Sequence, residues 1–548
     1  MTLTACEGDG ASHTVGSLLY EQASARPDKD LLVVDDARLS FAEAERRSAL
    51  LARALLAAGA GWGTRVGILY PNGPEFVVSW LAAARIGAVS VPLSTLSTRA
   101  ELVSLLRGVD ASFLLATATY RSHDYVDDLT TSIEDLDLSA PAPLFSPELP
   151  SLRRIIFWVE DGAEDARIGN AWSSEALLRH DEAVVGPDIL AAAERSVSPA
   201  DDMVIVHTSG STSQPKGVIH THGALIRHLE VLNRLRRYDA GEILFSNSPF
   251  FWIGGFAYGL LGTLVAGGTL LCSNAPSPGA LDLLERERPT MVNGFAASVT
   301  QLAQDPTFPA RDLSSIRRGN LYPIMPPETR PSDPQLRHNM LGITEAGSVC
   351  LASDDEADQP ERRRGSFGRP VPGFETSVRT PSGEPCERDQ IGELYLRGPF
   401  VMEGYVGRER CECFDAENWY HTGDLVSVDE EGFFYFHGRA DDMIKTSGAN
   451  VSPREVEAAI AEVAGLTAFV VGVDDPNRDQ IVAAVIRAPD DPSSGVDVEV
   501  LTSRLRARLS SYKVPSRILV VTEIPTMSSG KIDQRAIQAM LSGPEVET

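Results

Sequence analysis

The feature that most constrains this chain is a loop rich in glycine and hydroxyl side chains between two regular elements. Residues 207–218 read HTSGSTSQPKGV, after an apolar run at 203–206 and before a helical pattern at about 222–235. Leucines spaced by three or four residues predict that helix, so we expect a strand, a loop and then a helix. Backbone N–H groups and hydroxyls of such a loop bind an oxyanion, and Lys216 adds a positive charge. The expected ligand is a polyphosphate.

This loop differs from the Walker P-loop, in which glycine precedes the lysine and serine or threonine follows it. Here Pro215 precedes Lys216 and Gly217 follows it. The alternative is a solvated Ser/Gly linker, but linkers seldom lie tightly between a strand and a helix. The stretch resembles the phosphate-binding signature of the adenylate-forming superfamily, which includes acyl-CoA synthetases, luciferases and peptide-synthetase adenylation domains. The resemblance implies ATP contacts from Thr208, Ser209, Gly210, Ser211, Thr212 and Lys216, with Thr208 also beside the metal.

Composition narrows the classes of partner. The formal charge of −27 argues against nucleic acid and anionic membranes, so binding of an anionic substrate must depend on local basic residues. Six cysteines in 548 residues form no disulfide framework and indicate a reducing cytoplasm. Residues 250–272 carry no charge but contain six glycines. We therefore expect a buried helix there rather than a membrane span.

The chain is too long for one domain of about 150 residues. Alternating helix and strand patterns over 15–110 predict a parallel sheet, and the glycine-punctuated strands of 365–438 indicate a distorted barrel. The predicted fold is therefore α/β. It has a large N-terminal domain of parallel α/β layers with a distorted β-barrel subdomain, and a small mobile α+β C-terminal domain. We place the ATP- and acyl-binding domain at 1–438 and the lid domain at 439–548.

Thr344 and Glu345 pair a hydroxyl with a carboxylate, which suits an α-phosphate and Mg²⁺. A Thr-Glu pair alone more often begins a helix, but here it follows the phosphate loop and resembles the superfamily's aromatic-Gly-x-Thr-Glu motif. The resemblance implies catalytic roles for both residues and a metal contact for Glu345. The sequence departs from the family at Leu341, where an aromatic residue usually stacks on adenine. The small-residue stretch that usually packs the other face of adenine is not recognisable in 317–323.

Two further motifs follow in the family's order. Residues 422–424 resemble the family's Thr-Gly-Asp motif. The resemblance implies that the Asp424 carboxylate accepts hydrogen bonds from both ribose hydroxyls, and two acceptor oxygens suit a vicinal diol. Residues 438–457 resemble the family's hinge and the start of its mobile domain. The resemblance makes Asp441 the pivot and Arg439 a ribose contact. It implies a coenzyme A-binding group made of Lys445, Ser447 and Gly448.

Lys531 lies in a stretch at 525–533 that resembles the family's terminal Gly-Lys motif. We predict that it is the catalytic lysine, although an isolated Gly-Lys is usually a solvated loop. Negative charge develops between the attacking carboxylate and the α-phosphate, and a placed ammonium stabilises it where water is excluded. Removing such a contact costs a factor of about 10²–10³ in rate.

The stretch 248–255 falls where the family usually has an aromatic-histidine pair beside the acyl pocket, and Trp252 replaces the histidine. A packing tryptophan is an equally open interpretation. The stretch lacks the carboxylate with which amino-acid-activating domains pair the substrate ammonium. We therefore expect a fatty, alicyclic or aryl acid with an uncharged body. The predicted acyl pocket consists of Phe250, Phe251, Trp252, Gly254 and Leu341.

The predicted function is an acyl-CoA ligase that uses ATP, Mg²⁺ and coenzyme A in two steps. The acid first forms acyl-AMP and pyrophosphate, and the thiol then gives acyl-CoA and AMP. One alternative is a stand-alone acyl-AMP ligase that loads a carrier protein, although no large insertion of the kind such enzymes carry is evident. Another is a nucleotide-binding homologue without catalysis. The acid, the pathway and the oligomeric state, including a homodimer, stay open. We expect a cytoplasmic protein.

Overall fold

The structure is a computed structural model and describes residues 13–134, 136–158, 165–180, 185–208, 215–294, 297–440, 443–488, 495–522, 524–525 and 534–542. The α-helices are α1 (Val15–Ala25), α2 (Phe41–Ala57), α3 (Pro74–Arg85), α4 (Arg99–Gly108), α5 (Tyr125–Ser132), α6 (Ser174–His180), α7 (Pro187–Ser196), α8 (His222–Leu235), α9 (Gly262–Ala266), α10 (Ser277–Glu287), α11 (Ala297–Gln304), α12 (Pro453–Ala464), α13 (Val498–Arg506) and α14 (Gln534–Ser542).

The first strands are β1 (Asp30–Val34), β2 (Ala37–Ser40), β3 (Arg65–Leu69), β4 (Val89–Pro92), β5 (Phe113–Thr117), β6 (Thr119–Tyr120), β7 (His123–Asp124), β8 (Arg154–Trp158), β9 (Asp202–Thr208), β10 (Lys216–Thr221), β11 (Ile243–Phe245), β12 (Thr269–Cys272), β13 (Met291–Val292) and β14 (Arg318–Gly319). The later strands are β15 (Leu341–Ile343), β16 (Ser348–Ala352), β17 (Arg369–Pro370), β18 (Glu375–Arg379), β19 (Gly392–Arg397), β20 (Gly404–Tyr405), β21 (Tyr420–Val428), β22 (Phe434–Arg439), β23 (Ile444–Thr446), β24 (Ala449–Val451), β25 (Ala468–Asp475), β26 (Asp479–Arg487) and β27 (Arg517–Val521).

Two mainly parallel sheets form the large N-terminal part of the described chain. One has the strand order β14-β13-β11-β12-β1-β2, and only β2 runs antiparallel to its neighbour. The other has the order β20-β10-β9-β4-β3-β5-β8 and is parallel from β9 to β8. Strands such as β4 are buried along their whole length, as expected for a parallel sheet that helices cover on both faces. This confirms the predicted α/β layers.

The phosphate loop lies between two antiparallel strands, which corrects the predicted strand-loop-helix order. Strand β10 pairs with β9 so that Lys216 lies opposite Thr208, and only then does α8 begin at His222. The N-cap of α8 is Thr221, whose hydroxyl accepts a hydrogen bond from the Ala224 N–H at 3.3 Å. Strand β10 could not be recognised from the sequence because it is short and contains polar residues. Its pairing with the edge of β9 makes it a strand.

The uncharged segment 250–272 contains more than the single buried helix that we predicted. It forms a π-helix at Gly254–Leu261, then α9, and then strand β12. Gly267 ends α9 with φ +66°, a left-handed conformation that glycine adopts without steric cost. No helix in the described residues is long and apolar enough to cross a membrane.

The predicted β-rich subdomain appears as two antiparallel sheets with the orders β15-β16-β17 and β18-β19-β21-β22. The described residues from 443 to 542, here called the C-terminal unit, form a separate sheet of order β24-β23-β26-β25, with β27 beside β26. Helices α12 and α13 pack on a core of their own in this unit. The mixed α/β fold with a large N-terminal part and a small C-terminal part is confirmed. The boundary between 438 and 439 stays a prediction.

Candidate active site

One cavity of about 720 Å³ lies between the N-terminal part and the C-terminal unit. Its walls include residues that the sequence assigned to the phosphate, acyl and thiol sites. These are Thr208, Phe251, Trp252, Gly254, Leu341, Thr344, Lys445 and Gly448. The fold therefore brings the three predicted subsites to one place, although more than 200 residues separate the first of them from the last.

Thr208 is the last residue of β9 and lies at the cavity wall. The register of β9 and β10 places Lys216 opposite Thr208, and the Lys216 ammonium lies 5.0 Å from the ring centroid of Tyr405. Tyr405 reaches this position because β20 pairs with β10, with Tyr405 opposite Val218. The predicted ATP contacts Ser209, Gly210, Ser211 and Thr212 lie outside the described residues.

Glu345 lies in a 3₁₀ turn, Thr344–Ala346, and is 9% exposed. The Tyr405 hydroxyl donates to Glu345 Oε1 at 2.7 Å, and the hydroxyl oxygens of Tyr405 and Tyr420 are 3.0 Å apart. Burial, with the Glu345 charge as the next cause, raises the pKa of both phenols. Both therefore keep their protons at neutral pH and orient the carboxylate. Sequence reasoning missed both tyrosines, because only strand pairing brings them to Glu345.

Two buried histidines bond to the backbone of this turn and of the strand β16 that follows it. His220 Nε2 lies 2.7 Å from the Thr344 carbonyl oxygen, and His228 Nε2 lies 2.9 Å from the Val349 carbonyl oxygen. A carbonyl only accepts, so each Nε2 carries the proton that it donates. Burial lowers the pKa of both imidazoles to about 4. These rings are therefore neutral at pH 7 and fix the backbone that carries Thr344 and Glu345.

Asp424 and Arg439 are cross-strand neighbours on β21 and β22. Arg439 Nη1 lies 3.2 Å from Asp424 Oδ1, and the Asp424 side chain is only 2% exposed. Within β21, Gly423 has a φ of +72°, which glycine adopts readily, and an added Cβ would lie 3.1 Å from the Arg439 guanidinium. Neither charged residue lines the cavity. Lys445 does line it, and its pKa is raised by the Asp424 charge and lowered by the Arg439 charge, after a larger lowering by burial.

The tight turn between β23 and β24 brings the predicted thiol-side residues to the cavity. Ser447 and Gly448 have φ values of +49° and +82°, and Gly448 lines the cavity whereas Ser447 does not. The Lys445 ammonium lies 4.3 Å from the Phe436 ring centroid. Burial lowers the pKa of Lys445, and the nearby Asp424 charge opposes that shift. The predicted pivot Asp441 and the predicted catalytic Lys531 lie outside the described residues.

The acyl side of the cavity corrects one prediction. Phe251, Trp252, Gly254 and Leu341 line the cavity, but Phe250 does not. Phe250 is 1% exposed, and its ring centroid lies 5.3 Å from that of Phe76 in the main core. Neighbouring residues of an irregular segment point in different directions, so an aromatic run does not reveal which ring faces the ligand.

A row of polar side chains, absent from the sequence-based site, closes the acyl side. Ser246, Asn293 and Asn320 are the residues that directly follow β11, β13 and β14, and all three line the cavity. These strands are parallel neighbours, with Phe245 beside Val292 and Val292 beside Gly319. The three residues therefore occupy one level at the carboxyl edge of the sheet, where ligands of α/β proteins bind. That rule is the signal that would have found them.

The donor set suits a magnesium ion that arrives with a nucleotide. Thr208 and Thr344 line the cavity with their hydroxyl-bearing side chains, whereas Glu345, the residue after Thr344, offers one carboxylate but does not itself line the cavity. Among the described residues, no group of three His, Cys, Asp or Glu side chains could hold a metal by itself. Mg²⁺ in phosphate sites takes one or two carboxylates together with substrate phosphates. The residues present therefore fit Mg²⁺ bound with ATP.

Comparison with known proteins identifies the family. The model of the AMP-binding enzyme family matches residues 19–406, and the model of the AMP-binding enzyme C-terminal domain matches residues 455–531. The chain belongs to the AMP-binding enzyme family. Its relatives include feruloyl-CoA synthase of Amycolatopsis sp., 32% identical over 94% of this chain and 97% of that protein. The mitochondrial medium-chain acyl-CoA ligase of Mus musculus is 29% identical over 97% of this chain and 89% of that protein.

Solved structures agree with this fold. The amide bond synthetase McbA from Marinactinospora thermotolerans aligns with this AMP-binding enzyme at a TM-score of 0.77 and 23% identity, over 97% of this chain and 100% of that one. A double mutant of o-succinylbenzoate CoA synthetase from Bacillus subtilis aligns at 0.72 and 22% identity, over 95% and 97% of the two chains. The family and its relatives confirm the predicted class, an AMP-forming acid–thiol ligase that uses ATP, Mg²⁺ and coenzyme A.

Proposed function

We propose that this AMP-binding enzyme is an acyl-CoA ligase for an acid whose body carries uncharged hydrogen-bonding groups. The preferred substrate in this proposal is an aryl acid with hydroxyl or methoxy substituents. The observation that carries the proposal is a single cavity lined by Thr208 beside the phosphate loop, by Thr344, and by Gly448 in the turn of the C-terminal unit. A nucleotide, an acid and a thiol need adjoining subsites if one protein is to perform both half-reactions.

In the first half-reaction the carboxylate oxygen attacks the α-phosphorus of ATP, and pyrophosphate leaves. The Asp424 carboxylate would accept the ribose hydroxyls, and Thr344 would donate to an α-phosphate oxygen. Lys531 would supply the positive charge beside the transferring phosphorus. Bound Mg²⁺, held by Glu345 and the phosphates, would neutralise charge on the departing pyrophosphate.

In the second half-reaction the thiol sulfur attacks the acyl carbonyl carbon, and AMP leaves with the electrons of the broken anhydride bond. The turn at Gly448 leaves space for a narrow pantetheine arm, because glycine carries no side chain. Lys445 lies on the cavity wall, where its charge would stabilise the departing AMP. Burial lowers the pKa of Lys445, as expected for an ammonium group placed inside a functional site.

The polar row supports the choice of acid. Asn293 Oδ1 is buried without a hydrogen-bond partner among the described residues of the protein, and an alkyl chain would leave it so, which is unfavourable. Asn320 Oδ1 already accepts from Gly294 N–H at 3.0 Å, and Asn293 Nδ2 lies 3.3 Å from the same oxygen. These contacts hold the row in place. The similarity to a feruloyl-CoA synthase favours the same kind of acid.

A matched panel of acids tests the proposal. Hydroxylated and methoxylated cinnamic and benzoic acids are compared with saturated fatty acids of equal carbon number, and AMP and acyl-CoA are measured by mass spectrometry. We expect the substituted aryl acids to give the higher kcat/KM. Asn293→Leu should lower the preference for hydroxylated over unsubstituted cinnamic acid about fivefold, which corresponds to a net contribution of about 1 kcal/mol from one hydrogen bond. Turnover with fatty acids alone would refute the proposed substrate class.

The acceptor is tested in the same assay. Coenzyme A, a phosphopantetheinylated carrier protein and a simple amine are supplied in separate reactions with ATP and the preferred acid. We expect the thioester of coenzyme A to be the main product. A product formed only on the carrier protein would identify a stand-alone acyl-AMP ligase. An amide would identify a different second step on the same fold.

A further inference from the structure

A buried ion cluster joins the N-terminal part to the C-terminal unit at the cavity wall. The Lys513 ammonium lies 2.8 Å from Glu101 Oε1 and 2.8 Å from Glu455 Oε1. The Lys513 side chain is 6% exposed, and those of Glu101 and Glu455 are 14% and 10% exposed. Glu101 lies in the first turn of α4, whereas Glu455 and Lys513 belong to the C-terminal unit. We call these three residues the clamp cluster.

Lys513 and Glu101 stabilise each other's charge, whereas burial, only partly offset by Lys513, raises the pKa of Glu455. Burial alone lowers the pKa of Lys513, but neighbouring groups, including Glu101 and Glu455, raise it by more than burial lowers it. Burial alone raises the pKa of Glu101, but Lys513, together with hydrogen bonds from Thr98 and Ser510, lowers it by more than burial raises it. A buried cation between two carboxylates is stable only where the geometry is good and the remaining donors are paired.

Two more contacts bind the same segment of the C-terminal unit. The Ser510 hydroxyl donates to Glu101 Oε2 at 2.7 Å. The ring of Tyr512 meets the ring of Trp252 edge to face, with centroids 6.4 Å apart. Trp252 belongs to the acyl side of the cavity, so residues 510–513 contact both α4 and the acyl wall. Trp252 thus packs against the C-terminal unit and also lines the cavity.

The clamp cluster can separate without isolating a charge. Glu101 also accepts the Thr98 N–H at 2.8 Å in the capping box of α4, so it keeps a partner when Lys513 moves away. Lys513 keeps Glu455, because both belong to the C-terminal unit. Breaking a buried pair is very unfavourable when a charge is left without a partner. Here both Glu101 and Lys513 keep a partner after they separate. Such a contact suits two parts that must come together and separate in each cycle.

We propose that the clamp cluster is a releasable contact that holds the C-terminal unit where the turn at Gly448 lines the cavity, and so positions that turn for thioester formation. The assignment to thioester formation rests on the proposed function, whereas the holding of the unit does not. Glu101 and Lys513 are thus positioning residues for the second half-reaction. They are not needed for the first.

The holding of the C-terminal unit is tested by a distance measurement that needs no turnover. Genetically encoded labels replace the exposed residues Phe145 and Val500, one in each part, and the distance distribution is recorded without substrates. Glu101→Gln keeps the shape of the side chain and one acceptor oxygen for the cap but removes the charge. We expect the ratio of held to released molecules to fall about tenfold, the size of a typical contact coupling. A distribution equal to that of the unmutated chain would overturn the proposal.

A matched control is Glu43→Gln. Glu43 occupies the same position in the first turn of α2, where it pairs with Arg46 of its own helix, and it does not line this cavity. It should leave the distance distribution unchanged. The double variant Glu101→Gln with Lys513→Met should lose no more of the held population than Glu101→Gln alone. If the loss of held population in the double variant equalled the sum of the losses in the two single variants, a direct contact between Glu101 and Lys513 would be contradicted.

The role in the second half-reaction is tested by separating the two steps. With acyl-AMP supplied, Glu101→Gln should lower the rate of acyl-CoA formation about tenfold, while its ATP–pyrophosphate exchange stays within about twofold of the unmutated enzyme. Equal losses in both steps, or a loss in neither, would overturn the positioning role. An unmutated enzyme that makes no acyl-CoA from any acid would refute the proposed function, and the distance measurement would still decide whether the clamp cluster holds the unit.

Discussion

The hydroxyl of Tyr405 gives the sharpest test of how this site is built. It donates to Glu345 Oε1 at 2.7 Å in a buried environment. A hydrogen bond to a charged group contributes about 1.5–3 kcal/mol. Tyr405→Phe keeps the ring, and with it the Lys216 contact at 5.0 Å, but it leaves Glu345 without this donor. At about 1.4 kcal/mol per factor of ten, we expect adenylation to fall about 10- to 100-fold.

The assay is ATP–pyrophosphate exchange with the preferred acid, measured beside thermal unfolding to show that the variant is folded. Tyr435→Phe is the control, because its hydroxyl also donates to a carboxylate, Asp429 Oδ2 at 3.0 Å, but lies outside the site. We expect exchange by the control to match that of the unmutated enzyme. Exchange by Tyr405→Phe within twofold of the unmutated enzyme would refute the idea that this hydroxyl orients Glu345.

Further predictions concern the nucleotide, the lysine near the end of the chain and pH. Asp424→Asn should raise the KM for ATP about tenfold, measured by AMP release, and an unchanged KM would contradict a ribose contact. Lys531→Ala should lower adenylation by a factor of about 10²–10³ but largely keep thioester formation from supplied acyl-AMP; equal losses would contradict its role. Burial lowers the pKa of His220 and His228 to about 4, so unfolding takes up protons below the ordinary pKa of about 6.5. Their contribution to stability is complete above that pH and is lost as the pH falls through about 4. Urea unfolding should therefore show a lower free energy of unfolding at pH 5 than at pH 7, with a smaller difference in His228→Gln; an equal difference in both chains would contradict this.

The sequence predicted the elements with strong local signals. The helix expected at about 222–235 is α8, and the alternating elements of the first hundred residues form the predicted parallel sheet. Periodic leucines and buried β-branched runs carry this information within a few residues of each other. Strand β10 was missed because its hydrogen bonds come from β9 and β20 rather than from its own composition.

The parts of the site that sequence reasoning missed depend on contacts between distant residues. Sixty residues separate Tyr405 from Glu345, and 412 separate Lys513 from Glu101. No rule based on sequence spacing predicts contacts between residues so far apart in the chain. The row at Ser246, Asn293 and Asn320 was within reach, because each residue directly follows a parallel strand. The prediction that Phe250 lines the acyl pocket was wrong because it assumed that neighbouring aromatic residues face the same way. The irregular backbone of this segment turns Phe250 into the core instead.

The most direct test of the account is a crystal structure with a non-hydrolysable acyl-adenylate mimic whose acyl group is a hydroxylated cinnamoyl chain. We expect the acyl body against Ser246, Asn293 and Asn320, the phosphate surrogate beside Thr344, and the ribose at Asp424. A mimic bound away from this cavity, with these residues untouched, would contradict the central claim that one cavity joins the nucleotide, the acid and the thiol.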